Sequence, residues 1–315
     1  MPSAPPAPEP AGPGLTGAPE RKRPSLGSAY LALTKPGITG LILLMAVAGF
    51  FAGDPAYPPP WWRLAELLVA GGLASGGAAA LNHWYDRDLD LVMRRTRFRP
   101  LPSDRLSAGA VLSFGLGLTA LGWALAAWWL PWLSFLALAS GTLVYVGVYT
   151  VWLKRRTRWN IVIGGYAGSA PVLAGCAAVL GTFNPAGLLL ALLVFLWTPP
   201  HFWSLALALK DDYERAQLPM LPAPGEPLRS GRITFYSGAL LLLPTVAFGL
   251  LFRDYAVFLA LALALGLGFT YLLTGLLRSV ERPVALKSFI FSGLYLTGVA
   301  LAMLVNWLVY RWPGL

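Results

Sequence analysis

Two stretches of this chain, residues 107–152 and 159–209, contain no Asp, Glu, Lys or Arg. A helix crosses the hydrocarbon core of a bilayer in roughly 20 apolar residues, so each stretch is about two crossings long. Each also has a turn signal near its middle, "WWLPW" at 128–132 and "GTFNPAG" at 181–187. Soluble core helices are shorter and keep a polar face. The two stretches therefore read as helical hairpins in a membrane, where every backbone polar group must find a partner within the segment.

The same reading along the chain predicts an all-α multi-pass membrane protein with nine transmembrane helices. They are expected at 31–53, 64–85, 107–128, 131–152, 159–181, 184–209, 233–252, 255–277 and 288–310. Charged residues make up 12% of the chain, against roughly a quarter in soluble domains. Residues 1–27 differ: they are rich in Pro, Ala and Gly, and no apolar core follows the basic "ERKR" at 20–23. They read as a disordered polar tail rather than a cleaved signal, with one membrane domain over 28–315.

Basic residues set the orientation. With nine spans and a cytoplasmic N-terminus, 21 of the 24 Lys and Arg fall on the inner side, leaving Arg63, Arg253 and Arg311 outside. The net charge of +10 is thus a topology signal, and no nucleic-acid partner is needed to explain it. The lipid bilayer is the expected surrounding, the cell (inner) membrane the expected location. Cys176, the single cysteine, is expected to pack as a small apolar side chain.

Charge concentrates in "ALNHWYDRDLDLVMRRTRFRPLP", residues 80–102, at the end of the second span. Asn82, Asp86 and Asp90 recur every fourth residue, which places them on one helical stripe that drifts about 40° per step. Asp88 points elsewhere. Oxygen ligands on one face suit a hard cation such as Mg²⁺, which is usually held by a few carboxylates together with phosphate and water. The arginines that follow suit phosphate oxygens. A solvated loop with internal ion pairs is the competing account. His83, adjacent to the stripe but about 100° off it, is expected to have an interfacial structural role.

The sixth span ends in a second acidic cluster, Asp211, Asp212 and Glu214, flanked by Lys210 and Arg215. Both clusters follow even-numbered spans and so share one face, where they could jointly hold a diphosphate through bridging metal ions. Between spans four and five, Tyr149, Lys154 and Arg155 are placed to clamp phosphate, though basic loop residues also anchor topology.

These residues resemble a family. "NHWYDRDLDLVMRRTRFRPLP" is similar to the first aspartate motif of the UbiA superfamily of intramembrane prenyltransferases. "YTVWLKRRTRWNIVIGGYAGSAPVLAG", "WTPPHFWSLALALKDDYERAQLPMLP" and "LTKPGITGLILL" resemble its haem-directed branch; the likeness covers about residues 30–310. The resemblance implies a UbiA-type bundle and a Mg²⁺-bridged diphosphate site with Asn82, Asp86, Asp90, Asp211 and Asp212 as catalytic and metal residues. It implies substrate contacts at Lys35, Arg95, Arg99, Tyr149, Lys154, Arg155, Lys210 and Arg215. The implied substrates are farnesyl diphosphate and protohaem IX (haem B), joined at a haem vinyl group, and a downstream haem-modifying enzyme would take the product.

Within "TPPHFW", His201 is expected either to contact haem or to donate a hydrogen bond that repairs a helix broken by Pro199 and Pro200. Trp203, with Trp197 and Phe202, would line a porphyrin pocket or simply sit near the bilayer interface. The chain departs from the family pattern at several positions. Asp211 and Asp212 are adjacent instead of four apart, and Gly37 stands where a basic residue is expected. Asp104 and Gln217 replace common glycines, which predicts altered loop geometry. A quinone-precursor or chlorophyll-type acceptor would share the fold and metal site, although "WTPPHFW" argues against it. A haem or ion transporter would carry polar groups near the bilayer midplane, whereas these charges lie at span ends.

Overall fold

The computed structural model of the protein describes residues 25–54, 56, 58–221 and 226–311. Most of the expected tail lies outside them. Its last residues do not: helix α1 spans Leu26–Leu33, and Ser25 caps it by accepting a hydrogen bond from the Ser28 amide. The fold therefore starts two residues earlier than the composition shift suggests.

The remaining helices follow in order. They are α2 (Pro36–Ala52), α3 (Trp61–Tyr85), the short α4 (Arg87–Val92), α5 (Ala108–Trp129) and α6 (Trp132–Leu143), which continues as a π-helix over Val144–Leu153. Next come α7 (Asn160–Gly164), α8 (Tyr166–Leu180), α9 (Pro185–Ala208), the short α10 (Lys210–Arg215), α11 (Pro227–Ala239), α12 (Leu242–Leu251), α13 (Ala256–Leu273) and α14 (Arg282–Arg311). Eight segments are long and apolar enough to cross a membrane, and a ninth is formed if α1 and α2, bent by 45°, count as one.

Three differences from the expected spans have physical causes. The first span is not continuous. Pro36 disfavours helical backbone at the residue before it, and Lys35 takes left-handed geometry, φ 47° and ψ 63°. The seventh and ninth helices begin at Pro227 and Arg282, six residues before the expected spans. The added turns carry the charged Arg229, Arg232 and Lys287, because a helix does not stop where hydrocarbon ends. Finally, α9 runs unbroken through Pro199 and Pro200. The prolines leave the Phe195 and Leu196 carbonyls without an amide donor, whereas Thr198 and Ser204 donate to the neighbouring Val194 and Pro200 carbonyls; transmembrane helices tolerate proline in this way when neighbouring helices hold them.

Close packing rests on small residues, as it does where helices associate in lipid. A Cβ on Gly175 of α8 would run into the Ala46 carbonyl and Phe50 amide of α2, and one on Gly122 of α5 would meet the Ala74 backbone of α3. The largest apolar cluster joins α2, α9, α13 and α14 through Phe50, Leu193, Phe269 and Tyr295. Cys176 is buried as expected. At one end of the bundle Arg311 meets Asp54, with Nε···Oδ1 at 2.7 Å. At the opposite end the segments that follow α3, the π-helix and α9 come together.

Candidate functional site

The expected stripe survives a local break. Helix α3 stops at Tyr85 and Asp86 has φ −87° and ψ 9°. Even so, the Asp86 amide donates to the Asn82 carbonyl and the Asp90 amide to the Asp86 carbonyl, at 2.9 and 2.8 Å. The i, i+4 spacing is thus carried across the junction. Asn82, Asp86 and Asp90 are all buried, whereas the Asp88 side chain is 61% exposed.

Each buried carboxylate is held by a cation: Asp86 by one from another segment, Asp90 by one from the loop that follows it, and Asp212 by one from its own short helix. Lys154 binds Asp86, and Arg155 Nη2 lies 3.8 Å from the other Asp86 oxygen. Arg99 Nη1 donates to both Asp90 oxygens at 2.9 Å. Arg215 binds Asp212, whose Oδ1 also accepts the Arg94 backbone N–H at 3.3 Å. The second acidic cluster therefore touches the loop that follows the first, through Asp212 alone: Asp211 is exposed, and so is Lys210, which pairs with Glu214 at 3.6 Å. Adjacent residues on a short helix face different ways, so one of the two aspartates had to turn outward.

Lys35 reaches this site because of the break before Pro36. Its Nζ donates to Asn82 Oδ1 at 2.6 Å and to the Tyr145 hydroxyl at 3.3 Å. Gly37 does not prevent that contact. The Asn82 amide nitrogen faces Asp86 Oδ2 (2.8 Å) and Thr150 Oγ1 (3.2 Å). Thr150 and Tyr145 lie on the π-helix, where the Thr150 hydroxyl donates to the Tyr145 carbonyl five residues back at 2.8 Å. π-Helical turns recur at functional sites, and this one carries Tyr145, Thr150 and, just past its end, Lys154 to the cluster. Tyr145 and Thr150 were missed in the sequence because their spacing is not α-helical.

Outside the spans, Arg155 forms a bidentate pair with Asp88, both distances 2.7 Å. Those bonds hold the Asp88 carboxyl below its ordinary range and raise the Arg155 guanidinium. Burial pushes the Tyr213 phenol up, opposed by the nearby positive charges of Arg95 and Arg99. Arg95 itself is exposed. Tyr149 stacks on Tyr145 with centroids 6.1 Å apart. The two positions where glycine was expected keep glycine-like backbone: φ is 53° at Asp104 and 50° at Gln217. Both residues thus adopt the left-handed backbone that glycine takes most readily.

His83 also differs from expectation. It is 2% exposed and its Nδ1 lies 3.9 Å from Asp90 Oδ2. The stripe's own drift explains this: at about 100° per residue, Asp90 has rotated to within about 20° of His83. The i, i+3, i+7 relation of His83, Asp86 and Asp90 was available in the sequence.

His201 lies deeper on α9. Its Nδ1 is 2.6 Å from Ser292 Oγ of α14, and its ring stacks on Trp197 at 4.2 Å. It joins two helices and does not bond a carbonyl freed in α9, so the repair role expected for it is corrected. Trp203 is buried with its indole N–H unpartnered among the described residues.

The donor set is hard and oxygen-rich, and Asp86 Oδ1 is buried without a hydrogen bond, which suits a divalent cation such as Mg²⁺. Among the described residues, however, no three of His, Cys, Asp and Glu converge into a ready cage. Asn82, Asp86, Asp90, Asp211 and Asp212 are not drawn together as one ligand set, because lysine and arginine occupy the carboxylates. Carboxylates paired with cations in this way offer oxygen ligands to a metal and nitrogen donors to an anion.

Residues 42–294 match the UbiA prenyltransferase family. The chain is 44% identical over 293 residues to a protoheme IX farnesyltransferase of Alkalilimnicola ehrlichii, covering 90% of this chain and 94% of that one. It is also 44% identical over 283 residues to the enzyme of that name from Symbiobacterium thermophilum, covering 88% and 93%. Among solved structures, digeranylgeranylglyceryl phosphate synthase superposes with a TM-score of 0.71 at 17% identity, over 90% of this chain and 98% of that one. A UbiA homologue from Archaeoglobus fulgidus bound to GPP and Mg²⁺ superposes with a TM-score of 0.67 at 17% identity, over 87% and 99%.

Proposed function

The chain belongs to the UbiA prenyltransferase family, and from that premise we propose that it transfers the farnesyl group of farnesyl diphosphate to a vinyl group of protohaem IX. The acceptor is supported by the near full-length relatives named protoheme IX farnesyltransferase, at 44% identity. The single structural observation behind the donor half is the cluster in which Asp86, Asp90 and Asp212 each hold a movable cation. Few other arrangements supply both metal ligands and phosphate ligands at one end of an apolar bundle.

Asp86 and Asp90 would hold Mg²⁺ from the first cluster and Asp212 from the second. The metal would neutralise charge as diphosphate leaves. Lys154, Arg99 and Arg215, displaced from those carboxylates, bind the diphosphate oxygens and stabilise the same developing charge. Lys35 and Thr150 fix the orientation of Asn82. In the reaction the donor C1–O bond breaks, and the vinyl carbon forms a bond to C1. Water then adds to the cation on the haem side with loss of a proton, giving a hydroxyethylfarnesyl substituent. No protein nucleophile is required.

By the basic-residue count the site faces the cytoplasm. His201 belongs to the acceptor half, with one ring nitrogen committed to Ser292. The test is the mass of haem extracted from cells expressing the chain. A gain of one farnesyl group plus one hydroxyl group is expected; haem B of unchanged mass beside a prenylated quinone precursor would refute the acceptor.

A further inference from the structure

The buried end of α3 contains a polar side chain for which the account above gives no role. Neither ring nitrogen of His83 has a hydrogen-bond partner among the described residues. Burying a polar group unpaired costs on the order of 1–3 kcal/mol, so the group is expected to find a partner in another state of the protein. Its surroundings indicate what kind. Asp90 is its carboxylate neighbour at 3.9 Å, beyond hydrogen-bond reach. Three cations gather at the same end of α3: Lys35 on Asn82, Arg99 on Asp90 and Lys154 on Asp86. An imidazole carries at least one N–H donor, and an unpaired donor buried beside lysine and arginine calls for an anion rich in acceptor oxygens.

We propose that His83 is a direct binding contact for the diphosphate, donating a ring N–H to one of its oxygens when Lys154 and Arg99 turn to the same anion. The proposal rests on the diphosphate reading of the cluster. His83 lies on the same helical face as Asp90, so it approaches the anion from the α3 side. Arg87, its i+4 neighbour, is exposed and bonds the Trp84 carbonyl at 2.8 Å. The ligand class is a diphosphate, free or esterified, together with a divalent cation.

The test uses the full chain in detergent, with inorganic pyrophosphate and Mn²⁺ as probes, comparing the unaltered protein with His83→Leu and His83→Asn. Loss of one hydrogen bond to a charged group is worth at least about tenfold in affinity. His83→Leu should therefore bind pyrophosphate with Mn²⁺ about tenfold more weakly, with Mn²⁺ binding alone unchanged. His83→Asn, which keeps a donor, should recover most of the loss. Unchanged pyrophosphate affinity in His83→Leu overturns the proposal. An equal loss of Mn²⁺ binding alone also overturns it, because His83 would then be a metal ligand. If His83→Leu does not fold, the ¹⁵N signal of the His83 ring decides: it should shift on adding pyrophosphate with Mg²⁺, and a static signal in protein that binds the probe refutes the contact. Failure of the unaltered protein to bind pyrophosphate at all would instead count against the diphosphate reading.

Discussion

Lys154→Met separates the two halves of the ion exchange. Lys154 holds Asp86, whose side chain is 1% exposed while that of Lys154 is 19% exposed. Removing one partner of a buried pair costs about 3–5 kcal/mol, chiefly because a charge is left uncompensated. Asp86 keeps the Asn82 amide at 2.8 Å and Arg155 at 3.8 Å, so the low end of that range applies. An entering divalent cation recovers part of this penalty. At about 1.4 kcal/mol per decade, Mn²⁺ alone should bind Lys154→Met about tenfold to a hundredfold more tightly. Pyrophosphate loses one charge-assisted contact and should bind about tenfold more weakly. The benefit each ligand gives the other shrinks by the same factor in both directions, since coupling is reciprocal. Titration of Mn²⁺ by electron paramagnetic resonance, with and without pyrophosphate, measures all four affinities. A folded Lys154→Met that binds Mn²⁺ alone equally or less tightly than the unaltered protein refutes the exchange.

Other substitutions test the assignments one by one. Asp86→Asn should lower turnover by more than about a hundredfold, whereas Asp88→Asn, which removes an exposed pair worth about 0.2–1 kcal/mol, should change it only a few-fold; steady-state rates on farnesyl diphosphate and haem decide. Asp212→Asn should weaken pyrophosphate binding with Mn²⁺ and Asp211→Asn should not, because only Asp212 is turned inward; the opposite ranking would reassign the second cluster. Gly175→Val places carbon against the α2 backbone and should cost about 1–3 kcal/mol or more, seen as a lower midpoint of thermal unfolding in detergent. Gly147→Ala, with nothing within 4 Å of the new carbon, should leave that midpoint unchanged.

Much of this protein could be read locally. Charge-free blocks define spans because the hydrophobic cost of a crossing is a sum over neighbouring residues. The spacing of Asn82, Asp86 and Asp90 defines a stripe because helical geometry fixes angle by residue number. His83 is buried beside Asp90 and not set apart from the stripe, because the stripe drifts towards it by about 80° between Asn82 and Asp90. The proline pair at 199–200 reads locally as a break, yet α9 continues through it, because the effect of proline in a membrane helix depends on the helices packed around it.

The sequence by itself determined an all-helical membrane bundle, the accumulation of basic residues at one set of helix ends, and the residue types of a metal–diphosphate site. Only the tertiary structure decided which cation rests on which carboxylate, which of Asp211 and Asp212 turns inward, and that Lys35, Tyr145 and Thr150 join the site. The physical reason is distance along the chain. Lys35 bonds Asn82 from 47 residues away, Lys154 bonds Asp86 from 68, and the Arg94 amide bonds Asp212 from 118. Such contacts depend on how helices pack, on a left-handed residue before Pro36 and on a π-helical turn in the fourth span, and no periodicity in the sequence encodes them.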